Sequence, residues 1–296
     1  MTHDTHPGAA AAKAVQLRPV AADRGPLAGR IAIVTGGGWN IGRAVALAFA
    51  RSGARVTVAS RNLVHLQETC AMGLDEGFEL RAFAADLEDP EQVQALFSDV
   101  EESVGPVDLL ACLAGGLGAT QPCAETNPRE WLSVVTRNLF TTYLCCRRAL
   151  PQMLSRERGD ILTCAGGGAF FPMIDAHATA YASAKAAICR FTDQLYAEHR
   201  SSKGLRINCM EPGMTLSPRD LEAIEAEEAR TGSPHPAREH NHSPDDGAEL
   251  ALFLLSPGAA ALNGRILSVD EDWWRDPERV RQVAETDLYR LRRTFL

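Results

Sequence analysis

Thr35-Gly-Gly-Gly-Trp-Asn-Ile-Gly42 closes a short apolar run, Ile31 to Thr35, and leads into a helical pattern over Ile41 to Ser52. A simple turn has no need of three consecutive glycines. Between a first strand and a first helix they let the backbone turn tightly and approach a pyrophosphate, whose charge meets the N–H groups of the helix start. Gly36, Gly38, Trp39, Asn40 and Ile41 are the candidate contacts. Runs of β-type composition recur at Arg55 to Ala59, Leu80 to Ala84, Val107 to Leu113, Asp160 to Cys164, Leu205 to Met210 and Arg265 to Val269. Helical patterns alternate with them over Leu63 to Met72, Pro90 to Val104, Arg129 to Leu154, Thr179 to Ser201 and Pro244 to Leu255. Continuous apolar strands between helices argue for a parallel sheet covered on both faces. The expected fold is α/β, a doubly wound parallel sheet of seven strands in a single domain.

A chain of 296 residues can bury a sizeable core without splitting into two domains. Thirty basic against 38 acidic residues give a net charge of −8, which repels a phosphate backbone, so no nucleic-acid partner is expected. The eight cysteines include no C-x-x-C pair and read as reduced core residues. Apolar runs fall far short of the ~20 residues that cross a bilayer, so no membrane partner and a cytoplasmic location are expected. Residues 1–27 lack the apolar region of a signal peptide and read as a disordered tail. Residues 271–296 form a C-terminal extension, with a charged helical segment ending in Tyr289-Arg-Leu-Arg-Arg293. Its Trp273 and Trp274 are expected to pack on the domain itself, with an active-site lining or a subunit contact as alternatives.

The second strand ends in Ala59-Ser60-Arg61-Asn62, with no carboxylate where an NAD-preferring fold places one for the ribose hydroxyls. Arg61 either receives a 2′-phosphate, favouring NADP(H) over NAD(H), or is a surface residue at a strand end. Asp86 and Leu87 stand where an adenine edge is bonded and covered; Asp86 serves equally as a cap for the next helix. Tyr181-Ala-Ser-Ala-Lys185 places a phenol and an ammonium one turn apart on a helical face. A nearby positive charge favours phenolate and draws a Tyr pKa down from about 10.

In this order, the glycine turn, Arg61, Asp86-Leu87 and Tyr181-x-x-x-Lys185 make residues 28–270 resemble the short-chain dehydrogenase/reductase family. The resemblance implies a Rossmann-type dinucleotide-binding and catalytic domain. It also implies Tyr181 as catalytic acid/base, Lys185 lowering its pKa and holding the nicotinamide ribose, and Asn138 holding a water in the proton relay. Ala114, Gly115, Pro212, Gly213 and Thr215 are implied cofactor contacts, and residues 214–246 an implied cover over the substrate. The implied reaction is the NADP(H)-dependent interconversion of a secondary alcohol and a ketone on a small molecule. A homodimer or homotetramer through the two long helices is implied as well.

Three departures stand out. Asn40 replaces a family glycine, and Asn tolerates left-handed backbone. Cys112-Leu113-Ala114-Gly115 replaces Asn-Asn-Ala-Gly, which predicts weaker ties from that strand to its neighbours. The family's serine at the end of the fifth strand falls on Ala165 or Gly166, and no serine lies between Asp160 and Tyr181. Thr163, Thr179 and His177 are candidate substitutes; a strand residue, a helix cap and a loop residue are their ordinary readings. The missing serine leaves two other functions open: epimerisation or elimination with bound nucleotide, or nucleotide binding without redox turnover. His235, His240 and His242 match no ligand spacing and read as solvated loop residues, so no metal is expected.

Overall fold

Strands without a polar face must be covered on both sides, and every residue of β1 (Ile31–Thr35), β4 (Leu109–Cys112) and β5 (Gly159–Cys164) is buried. The computed structural model describes residues 25–118, 120–174 and 176–292; the expected N-terminal tail lies, up to residue 24, outside them. With β2 (Arg55–Ser60), β3 (Leu80–Ala84), β6 (Leu205–Glu211) and β7 (Ile266–Ser268), the strands pair in parallel in the order β3-β2-β1-β4-β5-β6-β7. The expected seven-stranded, doubly wound sheet is therefore the observed one.

One core layer joins α1 (Asn40–Arg51), Leu66 of α2 (Leu63–Asp75), α8 (Pro244–Leu255) and both C-terminal tryptophans. The other joins α3 (Pro90–Ser103), α5 (Thr141–Ser155) and Leu195 of α6 (Thr179–His199). Strand order reverses between β1 and β4, which opens a crevice at the carboxyl ends of the strands.

Two expectations about helices need correction. The pattern over Arg129 to Leu154 is not one α-helix: α4 (Pro128–Val135) gives way to a π turn, Thr136–Phe140, before α5. The C-terminal helix α9 (Pro277–Ala284) stops well before Tyr289, whose φ of 60° is not helical. Its last carbonyl and two of the segment beyond turn to a buried side chain: the Arg265 guanidinium donates to Ala284 O, Thr286 O and Leu288 O at 3.3, 2.6 and 2.6 Å. Trp273 and Trp274 pack on the domain as expected, 6% and 2% exposed, with Trp273 stacked on Tyr289 at 4.4 Å.

Candidate active site

The loop after β1 brings the glycine turn to the crevice. Gly36 has φ 69°, and a Cβ there would meet the Leu113 carbonyl at 2.8 Å, so the turn closes on the β4 loop only without a side chain. Asn40 takes the left-handed conformation, φ 44°. Its Nδ2 donates to Thr215 O at 3.3 Å, joining the glycine turn to the loop after β6, while its Oδ1 is buried without a partner. The start of α1 has no side-chain cap and no acidic residue in its first turn. Free helix N–H groups, a turn that excludes side chains and an orphaned acceptor fit a dinucleotide's pyrophosphate and a hydroxyl of its ribose. Trp39 lies over this turn, half exposed, with the His65 ring at 5.2 Å and the Arg43 guanidinium at 5.6 Å.

Arg61 follows β2 with its side chain 66% exposed and Glu88 4.0 Å away. Asp86 is not the helix cap: its Oδ1 accepts from Glu88 N at 3.0 Å, while Asp89 caps α3 by accepting from Glu91 N. Leu87 is 4% exposed and packs in the core with Val93 and Leu96, so its side chain belongs to the α3 layer rather than to an open cover.

The β4 loop is tied more firmly than its lost asparagines suggest. Thr35 Oγ1 accepts from Leu113 N and Ala114 N at 3.0 and 3.2 Å and donates to Ala111 O at 3.3 Å. This hydroxyl was readable in the sequence as the last residue of β1, but its partner strand was not. Asn138 sits in the π turn, fully buried. Its amide donates to Gly116 O and Val134 O at 3.0 and 2.8 Å, and its Oδ1 accepts from Gly116 N at 3.2 Å. The side chain is saturated by backbone and bolts the β4 loop, Gly115 included, to the helix.

Tyr181 and Lys185 meet on the first two turns of α6, with Nζ 5.5 Å from the phenol ring. Lys185 is 6% exposed and donates to Cys164 O at 3.0 Å, which fixes it against the end of β5. Burial pushes the Tyr181 phenol above its ordinary value; Lys185 pulls it down, as expected, but does not offset the burial, and Cys164 and Glu211 add to the rise. The net direction is thus opposite to the expected lowering, because the pair is shielded from water. At neutral pH the phenol keeps its proton.

Of the two candidate positions for the missing serine, Gly166 is the one facing the phenol: a Cβ there would lie 2.6 Å from the Tyr181 hydroxyl. Ala165 is buried in a cluster with Ile188 and Cys209. None of the proposed substitutes takes the vacant role through an open hydroxyl. Thr163 is buried and bonded to Thr192 Oγ1 at 2.6 Å. Thr179 is the first residue of α6 rather than its cap, and accepts from Trp131 Nε1 at 3.2 Å. His177 is exposed, at φ 47°, beside Thr126, Glu130 and Trp131.

The loop after β6 is held by residues that sequence reasoning left as solvent-facing. His242 packs on Gly213, where a Cβ would collide with its ring, and its Nε2 lies 2.7 Å from Asp270 Oδ1 with Nδ1 3.4 Å from Asp246 Oδ2. It is a brace for the Pro212-Gly213 turn, not a solvated histidine. His242 N also donates to Met214 O at 2.8 Å, and Thr215 lies one residue further on. His235 caps the turn Pro236–Arg238, and His240 is exposed. Among the described residues no group of His, Cys, Asp and Glu is arranged to hold a metal.

Glu211, missed by the sequence reading, ends β6 immediately before this turn. Burial lifts its carboxyl to about 7, with Asp270 adding to the effect. A carboxyl raised in the folded chain holds its proton more tightly there than when unfolded. Its contribution to stability is full below the ordinary value of 4.5 and is lost as pH climbs through 7. Glu211→Gln is therefore expected to leave the melting temperature unchanged at pH 4.5 and to raise stability at pH 8 by about 1–2 kcal/mol after allowance for partial screening. Melts of both proteins at the two pH values check this; equal differences at both would refute it.

The model of the short chain dehydrogenase family matches residues 30–228. A short-chain type dehydrogenase/reductase of Bradyrhizobium diazoefficiens is 33% identical over 252 residues, 83% of this chain and 88% of that protein. D-threitol dehydrogenase of Mycolicibacterium smegmatis is 31% identical over 245 residues, 82% of this chain and 92% of its own. Among solved structures, actinorhodin polyketide ketoreductase with NADPH superposes with a TM-score of 0.74 at 27% identity, covering 85% of this chain and 97% of that one. A sheet that reverses at its glycine turn, a Tyr and a Lys stacked on α6, and relatives matched over most of their length lead to one conclusion: the chain belongs to the short-chain dehydrogenase/reductase family, oxidoreductases acting on CH–OH groups.

Proposed function

We propose that the chain interconverts a ketone and a secondary alcohol on a small molecule, with NADP(H) as its cofactor. The observation that carries this reading is the Tyr181 phenol beside the buried Lys185 ammonium at the end of β5, facing the open space at Gly166. A bound nicotinamide would supply or accept the hydride at the carbonyl carbon. Tyr181 would exchange its hydroxyl proton with the substrate oxygen, and Lys185, anchored on Cys164 O, keeps the phenol in a positive field and would hold the nicotinamide ribose. Asn138 positions Gly115 and Gly116 beside them. With glycine at 166, the substrate oxygen depends on Tyr181 without help from a serine.

The Gly166 position also favours a second reading, nucleotide binding without redox turnover, which tight NADP(H) binding with no product on any carbonyl compound would reveal. Residues 1–27 are the tail, 28–270 the dinucleotide-binding and catalytic domain, 214–246 the substrate cover and 271–296 the extension in this proposal. Asp86 and Leu87 belong to the adenine end through their backbone turn, and Ala114, Gly115, Pro212, Gly213 and Thr215 to the nicotinamide end. A second copy of the chain would cover Leu132, Phe140 and Tyr143, exposed along α4, the π turn and α5. Six buried cysteines, with Cys70 and Cys123 also unbridged, suit a reducing, cytoplasmic setting. No helix among the described residues is long and apolar enough to cross a membrane.

Calorimetric titration with NADPH and NADH tests the cofactor. NADPH is expected to bind more tightly, and Arg61→Ala to weaken NADPH about tenfold, or about 1.4 kcal/mol, while leaving NADH unchanged. Equal affinities that ignore the substitution would remove the NADP(H) preference, and no NADPH oxidation on any ketone would remove the redox reading.

A further inference from the structure

We infer that the substrate carries a bulky apolar body, such as a fused-ring or aromatic ketone, seated on the loops after β4, β5 and β6; this deepens the ketone reading and rests on it. These three strands are neighbours in the sheet, so their loops emerge side by side around Tyr181. Among the described residues Phe171 and Ile174 are the most exposed large hydrophobics, at 81% and 80%. Both stand on the loop that connects Gly166, which faces the Tyr181 hydroxyl, to the start of α6. Phe170 joins them there, Leu117 comes from the β4 loop and Met214 from the β6 loop. Met173 turns inward against Gly167 and Gly168, so the Phe170-Phe171 tip has a packed base. Single exposed apolar residues need no explanation, but five of them on three neighbouring loops at the carboxyl end of the sheet, one loop beginning at the glycine that faces the Tyr181 hydroxyl, mark a ligand surface.

The polar inventory of the same loops points the same way. Leu113 to Gly118, Ala165 to Ile174 and Pro212 to Ser217 contain no charged residue. Their two hydroxyls are already engaged: Thr215 Oγ1 with Pro212 O at 3.5 Å, and Ser217 Oγ with Asp220. The charged or ionisable residues that border them in the sequence are Glu211 before the β6 loop, Asp175 directly after Ile174, His177 before α6 and Arg219 on α7 (Pro218–Thr231); His177 and Arg219 are exposed. A polyol or sugar acid would give up its water here with few partners in return, whereas an apolar ring gains from burial. The glycine at 166 removes one more hydroxyl from the floor.

The test is calorimetric titration of the full chain, saturated with NADP⁺, with 1-tetralone and separately with 5-keto-gluconate. Oxidised cofactor has no hydride to give, so binding is read without turnover; if NADP⁺ does not bind, the same titrations on the chain alone decide. Steady-state NADPH oxidation is followed in parallel, so that a failure of the redox reading shows there and not in the binding. Tetralone is expected to bind at least tenfold more tightly than keto-gluconate, and Phe171→Ser and Ile174→Ser each to weaken it about tenfold. Leu74→Ser, at an exposed apolar position on α2, should not change it. Equal or tighter keto-gluconate binding, no binding of either ketone, or variants that change the oligomeric state instead of the affinity would overturn the inference.

Discussion

Tyr181→Phe is expected to lower turnover by about a thousandfold or more while nucleotide affinity stays within about twofold of the parent. The phenol is the proton source nearest the space left by Gly166, where no serine shares the load. Removing one oxygen leaves the ring and its packing on α6 in place, and Lys185 keeps its bond to Cys164 O. The loss should therefore appear in kcat, since the missing hydrogen bond matters most as charge develops on the substrate oxygen. Nucleotide titration and single-turnover NADPH oxidation on the same preparation separate the two effects. A variant that turns over at the parent rate would show that another group supplies the proton and that Tyr181 is a packing residue.

Arg265→Met is expected to destabilise the chain by about 3 kcal/mol or more, lowering the melting temperature by on the order of 10 °C. The guanidinium is 1% exposed and makes no carboxylate hydrogen bond; its partners are the Ala284 carbonyl at the negative end of α9 and the Thr286 and Leu288 carbonyls of the segment beyond it. Burial and the neighbouring Arg290 push its pKa below the ordinary value. Methionine fills similar volume but leaves three inward carbonyls without donors. Arg265→Lys should recover part of the loss, since an ammonium keeps the charge without the planar fork. Thermal melts and limited proteolysis beyond Trp274 report the two consequences; an unchanged melt with an intact extension would show that the tryptophans alone anchor it.

Strand positions were legible because buried parallel strands leave continuous apolar runs; β1 begins and ends where its run does. The glycine turn and the Tyr181-Lys185 pair were legible because each depends on spacing within one element. What escaped the sequence depends on partners far along the chain. The π turn has no signal of its own, since Thr136 to Phe140 carries neither glycine nor proline; it is held by the amide of Asn138 reaching Gly116 across 22 positions. The sign of the Tyr181 shift required knowing how far water is excluded. His242 looked like a loop residue because Gly213 and Asp270, its neighbours in space, lie 29 and 28 positions away. Arg265 read as the first residue of a strand, and only the returning extension gives its charge a purpose.

The last strand of the sheet takes its outer partner from late in the chain. β7 is an edge strand, and the N–H of Ile266 donates to the carbonyl of Tyr289 at 2.8 Å. Without that partner the N–H of Ile266 would stand open on the sheet margin, the kind of unpaired edge on which another strand can pair. A truncation placed before Tyr289 is thus expected to leave all seven strands paired with one another while opening the outer margin of β7.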